Sequence, residues 1–216
     1  MTTRKGRATR LSFQEAARRV FARDGYLNSR LSDIADEAGK SMASFYNYFE
    51  SKEALLAELA ADFDAELQRR VAEPFRRERS PEAALHGAIA AFYRHYQTRL
   101  PEAIGIFQAS MVNPDFAAQW REIRTNGVRT IALGIRRAQA AGFAPGLDPL
   151  LAASALSSMI EHFCWVWMAG EGDATGVEPT APGFDEHAID TLWQLWSHAV
   201  YWTEQSPRRE SPKEAT

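Results

Sequence analysis

Residues 31–52 contain two short apolar segments at helical spacing, separated by one glycine. In the first segment apolar residues recur at intervals of three and four from Leu31 to Ala38, which gives a helix one apolar face. Gly39 follows where that helix must end, because glycine adopts the left-handed backbone state that closes a helix. Ser41 is a suitable N-cap for the next segment. The pattern predicts two short helices joined by a sharp turn.

The second helix begins at about Met42 and places Phe45 and Phe49 four residues apart on one face. A helix this short is rarely stable alone, so the surrounding domain must hold its other face outward. An outward-facing second helix after a sharp turn is typical of a helix-turn-helix, which reads base edges in the DNA major groove.

The wider segment from about Ala17 to Leu56 carries VFARDGY, LSDIADEAG, SFYNYF and SKEALL in that order. With this spacing it resembles the DNA-binding domain of the TetR family of bacterial one-component transcriptional regulators. The resemblance implies an all-α fold. An N-terminal three-helix DNA-binding domain with the helix-turn-helix would precede a C-terminal helical bundle for ligand binding and dimerisation.

Two residues depart from the usual family pattern. Lys40 stands where a small apolar residue normally fills the turn, and Arg30 stands where Thr or Ser usually caps the first helix. We expect Ser29 or Asn28 to take over the capping, and Lys40 to bury its aliphatic stem while its ammonium stays in solvent.

Charge is unevenly divided along the chain. Residues 1–55 hold ten Lys or Arg against seven acids, whereas the 216-residue chain has a net charge of -3. A local basic excess fits a protein that presents one end to a polyanion. We expect residues 1–10 to form a basic arm whose Arg4 and Arg7 follow phosphates or enter the minor groove. A solvated tail is the alternative.

The side chains of the second helix supply candidate DNA contacts. Asn47 can reach a phosphate or an adenine edge. The resemblance favours Tyr46 as a phosphate ligand and Tyr48 as a backbone or base contact, with packing of Tyr48 inside the domain as the alternative. The residues of the first turn, which would meet base edges, are Met42, Ala43 and Ser44.

Lys52 is the strongest candidate for a single phosphate contact. It follows the cap Ser51 in the first turn of a long helix, where backbone N–H groups already favour an anion.

Proline and polar caps mark the later helices, and no segment alternates as a strand would. A stretch rich in glycine and proline predicts a flexible loop at 170–184. The expected helices span about 11–23, 52–77, 81–97, 101–111, 114–141, 149–170 and 185–203. The expected divisions are the arm 1–10, the DNA-binding domain 11–55, the ligand-binding and dimerisation domain 56–205 and a disordered tail 206–216.

Helix-turn-helix proteins normally bind palindromic half-sites as symmetric dimers. The helices at 149–169 and 185–203 are long and apolar, and the resemblance implies that they meet a second copy as a four-helix bundle. Packing inside the chain's own core is the alternative. The interface candidates are Leu156, Met159, Leu192, Trp196 and Val200.

Aromatic and methionine side chains between the linker helix and the last two helices can line an apolar cavity. The resemblance implies an inducing small molecule there, with the helix from Lys52 to Phe75 as the lever to the DNA-binding domain. Glu161 and His162 stand out because buried charge is costly without a partner. The alternative is a core histidine with its hydrogen bonds satisfied and an exposed glutamate, and plain core packing for the aromatic and methionine residues. The ligand-binding candidates are Phe92, Tyr96, Phe107, Met111, Trp120, Met159, Glu161, His162 and Phe163.

A single cysteine, Cys164, excludes an internal disulfide and a Cys-rich zinc site, and we expect no cofactor or metal. The N-terminus lacks a signal-peptide pattern, and serines, Glu161 and His162 interrupt the most apolar stretch. We therefore expect a cytoplasmic protein without membrane contact. Its expected partners are double-stranded operator DNA, a second copy of itself and a small apolar or aromatic effector.

These observations favour a ligand-responsive transcriptional regulator that represses by occupying its operator. A helical ligand-binding or scaffold protein without DNA binding is the alternative. An enzyme is less favoured, because Ser157, His162 and Asp148 or Asp190 are accompanied by no nucleophile elbow or helical metal pair.

Overall fold

The computed structural model describes residues 4–169, 172–173 and 176–201, and these residues form helices joined by turns, with no strand among them. The all-α prediction is confirmed. A π-helical turn, Trp165–Ala169, extends the ninth helix. The helices are α1 (Arg4–Asp24), α2 (Leu31–Glu37), α3 (Met42–Tyr46), α4 (Lys52–Ala72), α5 (Pro74–Arg77), α6 (Pro81–Thr98), α7 (Leu100–Val112), α8 (Pro114–Ala140), α9 (Pro149–Cys164) and α10 (Phe184–Val200).

Polar caps set most of these boundaries, as the sequence predicts. Ser41 Oγ accepts a hydrogen bond from the Ser44 N–H at 3.1 Å and so starts α3. Asn113 starts α8 and Asp148 starts α9 in the same way, each followed by proline at the first helical position. Because these caps act locally, the sequence alone is enough to place them.

The first helix begins at Arg4, seven residues before the predicted start. Residues 4–10 of the predicted arm are therefore helical, while residues 1–3 lie outside the described residues. Arg10 holds the end of this segment against α4, since its Nε donates to Glu58 Oε2 at 2.9 Å and its guanidinium lies 4.8 Å from the Phe49 ring centroid. This tertiary ion pair is why sequence reasoning placed the boundary too late.

The N-terminal domain, α1–α3, packs around three phenylalanine rings. Phe13 meets Phe45 edge to face at 5.3 Å between centroids, and Phe49 completes the cluster at 6.4 Å from Phe13. Gly39 has φ of +64°, and the N–H of Lys40 donates back to the Ala35 carbonyl at 2.9 Å. The sharp turn between α2 and α3 is therefore built as predicted.

The remaining helices form a bundle joined to the N-terminal domain by α4 and α7. The helix α4 packs on α6 and α7, α8 packs on α7 and α9, and α10 packs on α6. The helix α7 also contacts α1, so it touches both parts of the molecule.

The most apolar helical stretch among the described residues is Pro149–Met168, whose length and mean hydropathy of 1.2 match a membrane span. It packs against α6 and α8, however, and its Glu161 forms an ion pair with Arg124 of α8. These contacts are those of a helix in the bundle. Residues 170–171 and 174–175 of the expected loop, and the whole expected tail 206–216, lie outside the described residues.

Candidate nucleic-acid interface and ligand cavity

The short helix α3 buries one face and presents the other. Phe45 and Phe49 are buried, as predicted. Ala43 and Asn47 are exposed on the opposite side, and Tyr46 is 55% exposed. The outer face therefore carries one aromatic hydroxyl and one amide at a site where the backbone is held rigid by the turn and by the Ser41 cap.

Three other candidates, in α3 and just after it, are only partly exposed. Met42 and Tyr48 pack against the core, and the Tyr48 ring lies 6.1 Å from the Phe13 ring centroid. Ser44 is half-buried and its N–H is taken by the cap. This geometry favours the packing alternative for Tyr48, and DNA contacts by these residues stay predictions.

Lys52 has an intramolecular role that the sequence did not reveal. Its Nζ donates to the carbonyls of Tyr26 at 2.7 Å and Ser29 at 2.8 Å, and it lies 4.4 Å from the Tyr26 ring centroid. Partial burial lowers the pKa of this ammonium. Lys52 thus closes the loop between α1 and α2, and only its remaining N–H is left for the predicted phosphate contact.

The expected substitution of caps at α2 is wrong. Arg30 itself is the N-cap residue, and its backbone N–H donates to the Asp33 carboxylate at 2.9 Å. Ser29 instead donates to the Tyr26 carbonyl at 2.8 Å, and Asn28 donates to a carbonyl in the last turn of α1. The acid at the third helical position makes a side-chain cap unnecessary. Lys40 is exposed in the turn.

Much of the positive charge of the N-terminal domain is neutralised by carboxylates. Arg4 and Arg7 are exposed near the start of α1. Within the described part of the chain, no ion pair engages Arg4, Lys5, Arg30 or Lys40. The arginines that pair with acids are Arg10, Arg18, Arg19 and Arg23.

Cavity 1, of about 340 Å³, lies between α6, α7, α8 and α9. One wall is the outer face of α7, and the lining is almost entirely apolar. The predicted ligand-binding residues that line it are Tyr96, Phe107, Trp120, Glu161 and His162.

The other predicted ligand-binding residues lie elsewhere. Phe92 lines a second cavity, cavity 2, of about 160 Å³. Met111 is 64% exposed near the end of α7, and Met159 and Phe163 pack against the core without lining either cavity. Helical spacing could not separate these positions, because both faces of α7 and α9 carry apolar residues.

The polar groups of cavity 1 form one connected cluster. Arg124 forms an ion pair with Glu161 and donates from Nη2 to Ser158 Oγ at 3.1 Å. The Ser157 hydroxyl donates to Glu161 Oε1 at 2.8 Å. Burial raises the pKa of Glu161, while Arg124 and Ser157 act in the opposite direction. The half-buried glutamate therefore has a charged partner, which offsets the cost of removing its charge from water.

Sequence reasoning missed Arg124, Ser158 and Trp165 in this site. The Trp165 ring stacks on His162 with 5.5 Å between centroids. The one signal available was Glu161 itself, since an acid inside an apolar helix calls for a cation on a neighbouring helix.

Four of the predicted interface residues pack in the chain's own core, which favours the alternative of core packing for them. Each is at most 9% exposed, and Met159 is partly buried against the same core. On the same two helices, Leu151 is 73% and Leu195 is 54% exposed. The four core residues are Leu156, Leu192, Trp196 and Val200.

The residues considered for a hydrolase have other partners. Asp148 accepts the N–H groups of Leu150 and Leu151 at the start of α9. Asp190 pairs with His86 at 2.8 Å, and Ser157 donates to Glu161. The part of the chain that the structure describes also contains no group of three His, Cys, Asp or Glu placed to hold a metal.

An outward second helix after a tight turn, joined to a helical bundle with an apolar cavity, defines a helix-turn-helix protein with a ligand-sized cavity. The family model for bacterial regulatory proteins of the tetR family matches residues 14–59. The chain is 26% identical over 196 residues to the HTH-type transcriptional regulator EthR of Mycolicibacterium smegmatis, covering 87% of this chain and 83% of the relative.

Solved structures share the fold. A regulatory protein of the tetR family from Rhodococcus RHA1 superposes with a TM-score of 0.71 at 19% identity, covering 91% of this chain and 98% of that one. The TetR family regulator PfmR from Thermus thermophilus superposes with a TM-score of 0.69 at 21% identity, covering 88% of this chain and 99% of that one. The match of residues 14–59 and the similarity to EthR over most of the chain support the TetR family of bacterial transcriptional regulators.

Proposed function

We propose that this protein is a ligand-responsive transcriptional repressor that binds palindromic operator DNA as a homodimer. The observation that carries the proposal is the outer face of α3, which a glycine turn and a serine cap hold away from the core. Its exposed polar groups fit a helix that enters the major groove. The names of the relatives as transcriptional regulators support this function over a catalytic one.

Tyr46 is the proposed main contact of this face, because its hydroxyl is exposed and can donate to a phosphate. Ala43 and Asn47 accompany it at base edges, and Arg4 and Arg7 reach along the backbone from α1. Lys52 contributes less than the sequence predicted, since two of its three N–H groups already have acceptors.

Dimerisation is proposed through the exposed faces of α9 and α10. Leu151 and Leu195 are large apolar side chains left exposed on these helices. A single α3 reads only a few base pairs, so a second copy supplies the contact area that specific binding needs.

Cavity 1 is the proposed effector site. Its volume of about 340 Å³ and apolar lining fit a small molecule, and its polar groups converge at one corner. We propose a cytoplasmic location, where both DNA and diffusing effectors are met.

The helix α7 is the proposed route from cavity 1 to the DNA-binding domain, beside the predicted lever α4. One face of α7 lines the cavity through Ile104 and Phe107. On the other face the buried Glu102 accepts Arg18 Nε of α1 at 2.7 Å. A β-carbon at Gly105 would lie 3.2 Å from Tyr26 Cβ, which shows how closely α7 approaches this domain.

Glu102 also joins α7 to α4. Arg99 forms an ion pair with Glu102 and donates from Nη1 to Glu66 of α4 at 2.8 Å. An occupant of cavity 1 that shifts α7 would therefore move both elements that position α3. A coupling of about 1 to 3 kcal/mol would change operator affinity by roughly 5- to 150-fold.

The experiment is a fluorescence anisotropy titration with duplex DNA from upstream of the protein's own gene. Tyr46→Ala should weaken binding by about 10- to 100-fold, because it removes a hydrogen bond to a charged phosphate. Leu133→Ala is the matched control, since Leu133 is 54% exposed like Tyr46 but lies on α8, outside both cavities and far along the chain from α3.

Unchanged affinity of Tyr46→Ala would contradict the role of α3. Absence of wild-type binding even in dilute salt would favour the ligand-binding or scaffold alternative.

A further inference from the structure

Cavity 2 lies against the far side of one wall of cavity 1. Its volume is about 160 Å³, and residues of α4, α5, α6, α8, α9 and α10 line it. The lining is aliphatic and aromatic, including Ile89, Ile131, Ile135, Ile160 and Trp196. The lining also includes the hydroxyls of Thr130, Ser157 and Tyr201 but no charged residue, so it suits an apolar group better than a charged one.

Two contacts connect the lining of one cavity to the lining of the other, and together they are termed the partition. Phe92, which lines cavity 2, stacks on Tyr96, which lines cavity 1, with 4.7 Å between centroids and 15° between ring planes. Ser157, which lines cavity 2, donates to Glu161, which lines cavity 1, at 2.8 Å. One stacked ring pair and one hydrogen bond therefore join the two linings.

We propose that the two cavities are compartments of one binding site for an elongated, uncharged amphiphile. Its polar head lies at Arg124, Glu161 and Ser158 in cavity 1, and its apolar tail passes the Phe92–Tyr96 partition into cavity 2. The proposal rests on the proposed effector site and adds the shape and charge of the ligand.

The ion pair determines the charge of the head. Arg124 and Glu161 neutralise each other, and each already has a second polar partner in Ser158 and Ser157. A charged head would bind one member of this half-buried pair and leave the other without its counterion. A hydroxyl or carbonyl can join the cluster without breaking it.

The partition opens on the side of Phe92. Phe92 is only partly buried, whereas Tyr96 is 7% exposed and also packs edge to face on Phe63 at 5.3 Å. Rotation of Phe92 alone removes one of the two stacked rings, and such rotamer changes are fast where a side chain is incompletely packed.

The test uses straight-chain 1-alkanols as probes, measured by calorimetry on the full chain without DNA. Each added methylene should improve the dissociation constant about fourfold as chain length rises from about six to about twelve carbons, because each newly buried methylene adds the same transfer free energy. Binding should involve one probe per protomer.

Gly134→Leu fills cavity 2 from α8. A β-carbon at Gly134 meets no atom within 4 Å, so the new side chain has space there. In this variant the dissociation constants of short alkanols should lie within twofold of the wild-type values. Further methylenes should no longer lower the dissociation constant, because cavity 2 is filled. Gly127→Leu is the matched control on the same helix, outside both cavities, and should keep the wild-type dependence on chain length.

Charged probes complete the test. Octanoate and octylammonium should each bind at least about tenfold more weakly than 1-octanol, because either charge competes for one member of the ion pair. Thermal unfolding establishes that the variants are folded. If Gly134→Leu does not fold, Ala88→Leu fills cavity 2 from α6 instead.

Several results would overturn the proposal. The first is that the dissociation constant depends on chain length equally in wild type and in Gly134→Leu. The second is binding of two probes per protomer. The others are tighter binding of a charged probe than of 1-octanol, and no binding of any alkanol to the wild type. None of these measurements involves DNA, so failure here is distinct from failure of the proposed regulatory function.

Discussion

At the scale of single residues, His95 is the buried ring whose protonation the fold opposes most clearly. It is fully buried, its Nε2 donates to the Phe63 carbonyl at 3.1 Å, and its Nδ1 has no hydrogen-bond partner in the described structure. Burial and the nearby Arg99 lower the pKa of His95 to about 4. A second proton would have to sit on Nδ1, where no acceptor is present.

This depressed pKa predicts acid sensitivity. The unfolded chain binds a proton at His95 near pH 6.5 and the folded chain only near pH 4, so the stabilisation is complete above pH 6.5 and is lost as pH falls toward 4. Between about pH 7.5 and about pH 5 the loss should be about 2 kcal/mol. Urea unfolding of wild type and His95→Gln measures it, and equal pH dependence of the two would contradict the prediction.

Residue roles were predictable from the sequence where they depend on local spacing. The interval of four between Phe45 in α3 and Phe49 just after it predicted the buried side of this segment, and Tyr46 followed as exposed. The role of Lys52 was not predictable, because its acceptors are two carbonyls whose directions are set by the folded α1–α2 loop.

At the scale of elements, α7 is the helix with two functions. Its cavity face and its Glu102 face are both needed if an occupant of cavity 1 is to affect α1. The sequence did not reveal this division, since apolar residues occur all around α7 and its partners are distant along the chain. The caps of α3, α8 and α9 were predictable because each lies within three residues of the group it binds.

The Arg18–Glu102 pair should couple α1 to α7 measurably. A double-mutant cycle with Arg18→Ala and Glu102→Gln should give a coupling energy of about 1 to 3 kcal/mol, because Glu102 is 2% exposed. The exposed pair Arg94–Glu186 is the control and should give less than about 1 kcal/mol. Chemical denaturation measures both cycles, and equal coupling energies would show that the buried pair does not join the two elements.

At the scale of the whole molecule, the sequence predicted the order of helices but not which apolar faces remain exposed. Leu192 and Trp196 lie on the core side of α10, whereas Leu195 lies on its outer side. Leu195 and Trp196 are adjacent in α10, yet one is exposed and the other buried. The position of α6 against α10 decides which of them is buried.

Dimerisation through α9 and α10 can be tested with two leucines of equal exposure. Leu195→Asp should raise the dimer dissociation constant at least about tenfold, because it places a charge in an apolar interface. Leu133→Asp, on α8, is the control, since both leucines are 54% exposed. Sedimentation equilibrium measures the shift, and a wild-type monomer or an unaffected Leu195→Asp dimer would contradict the proposed interface.

The central claim is that two copies of α3 lie in the major groove of one operator. Dimethyl sulfate footprinting tests it most directly, because the reagent methylates guanine N7 in that groove. We predict two symmetric patches of protected guanines about one helical turn, or a small multiple of it, apart. A single protected patch, or unprotected guanines in a duplex that the protein has saturated, would contradict the claim.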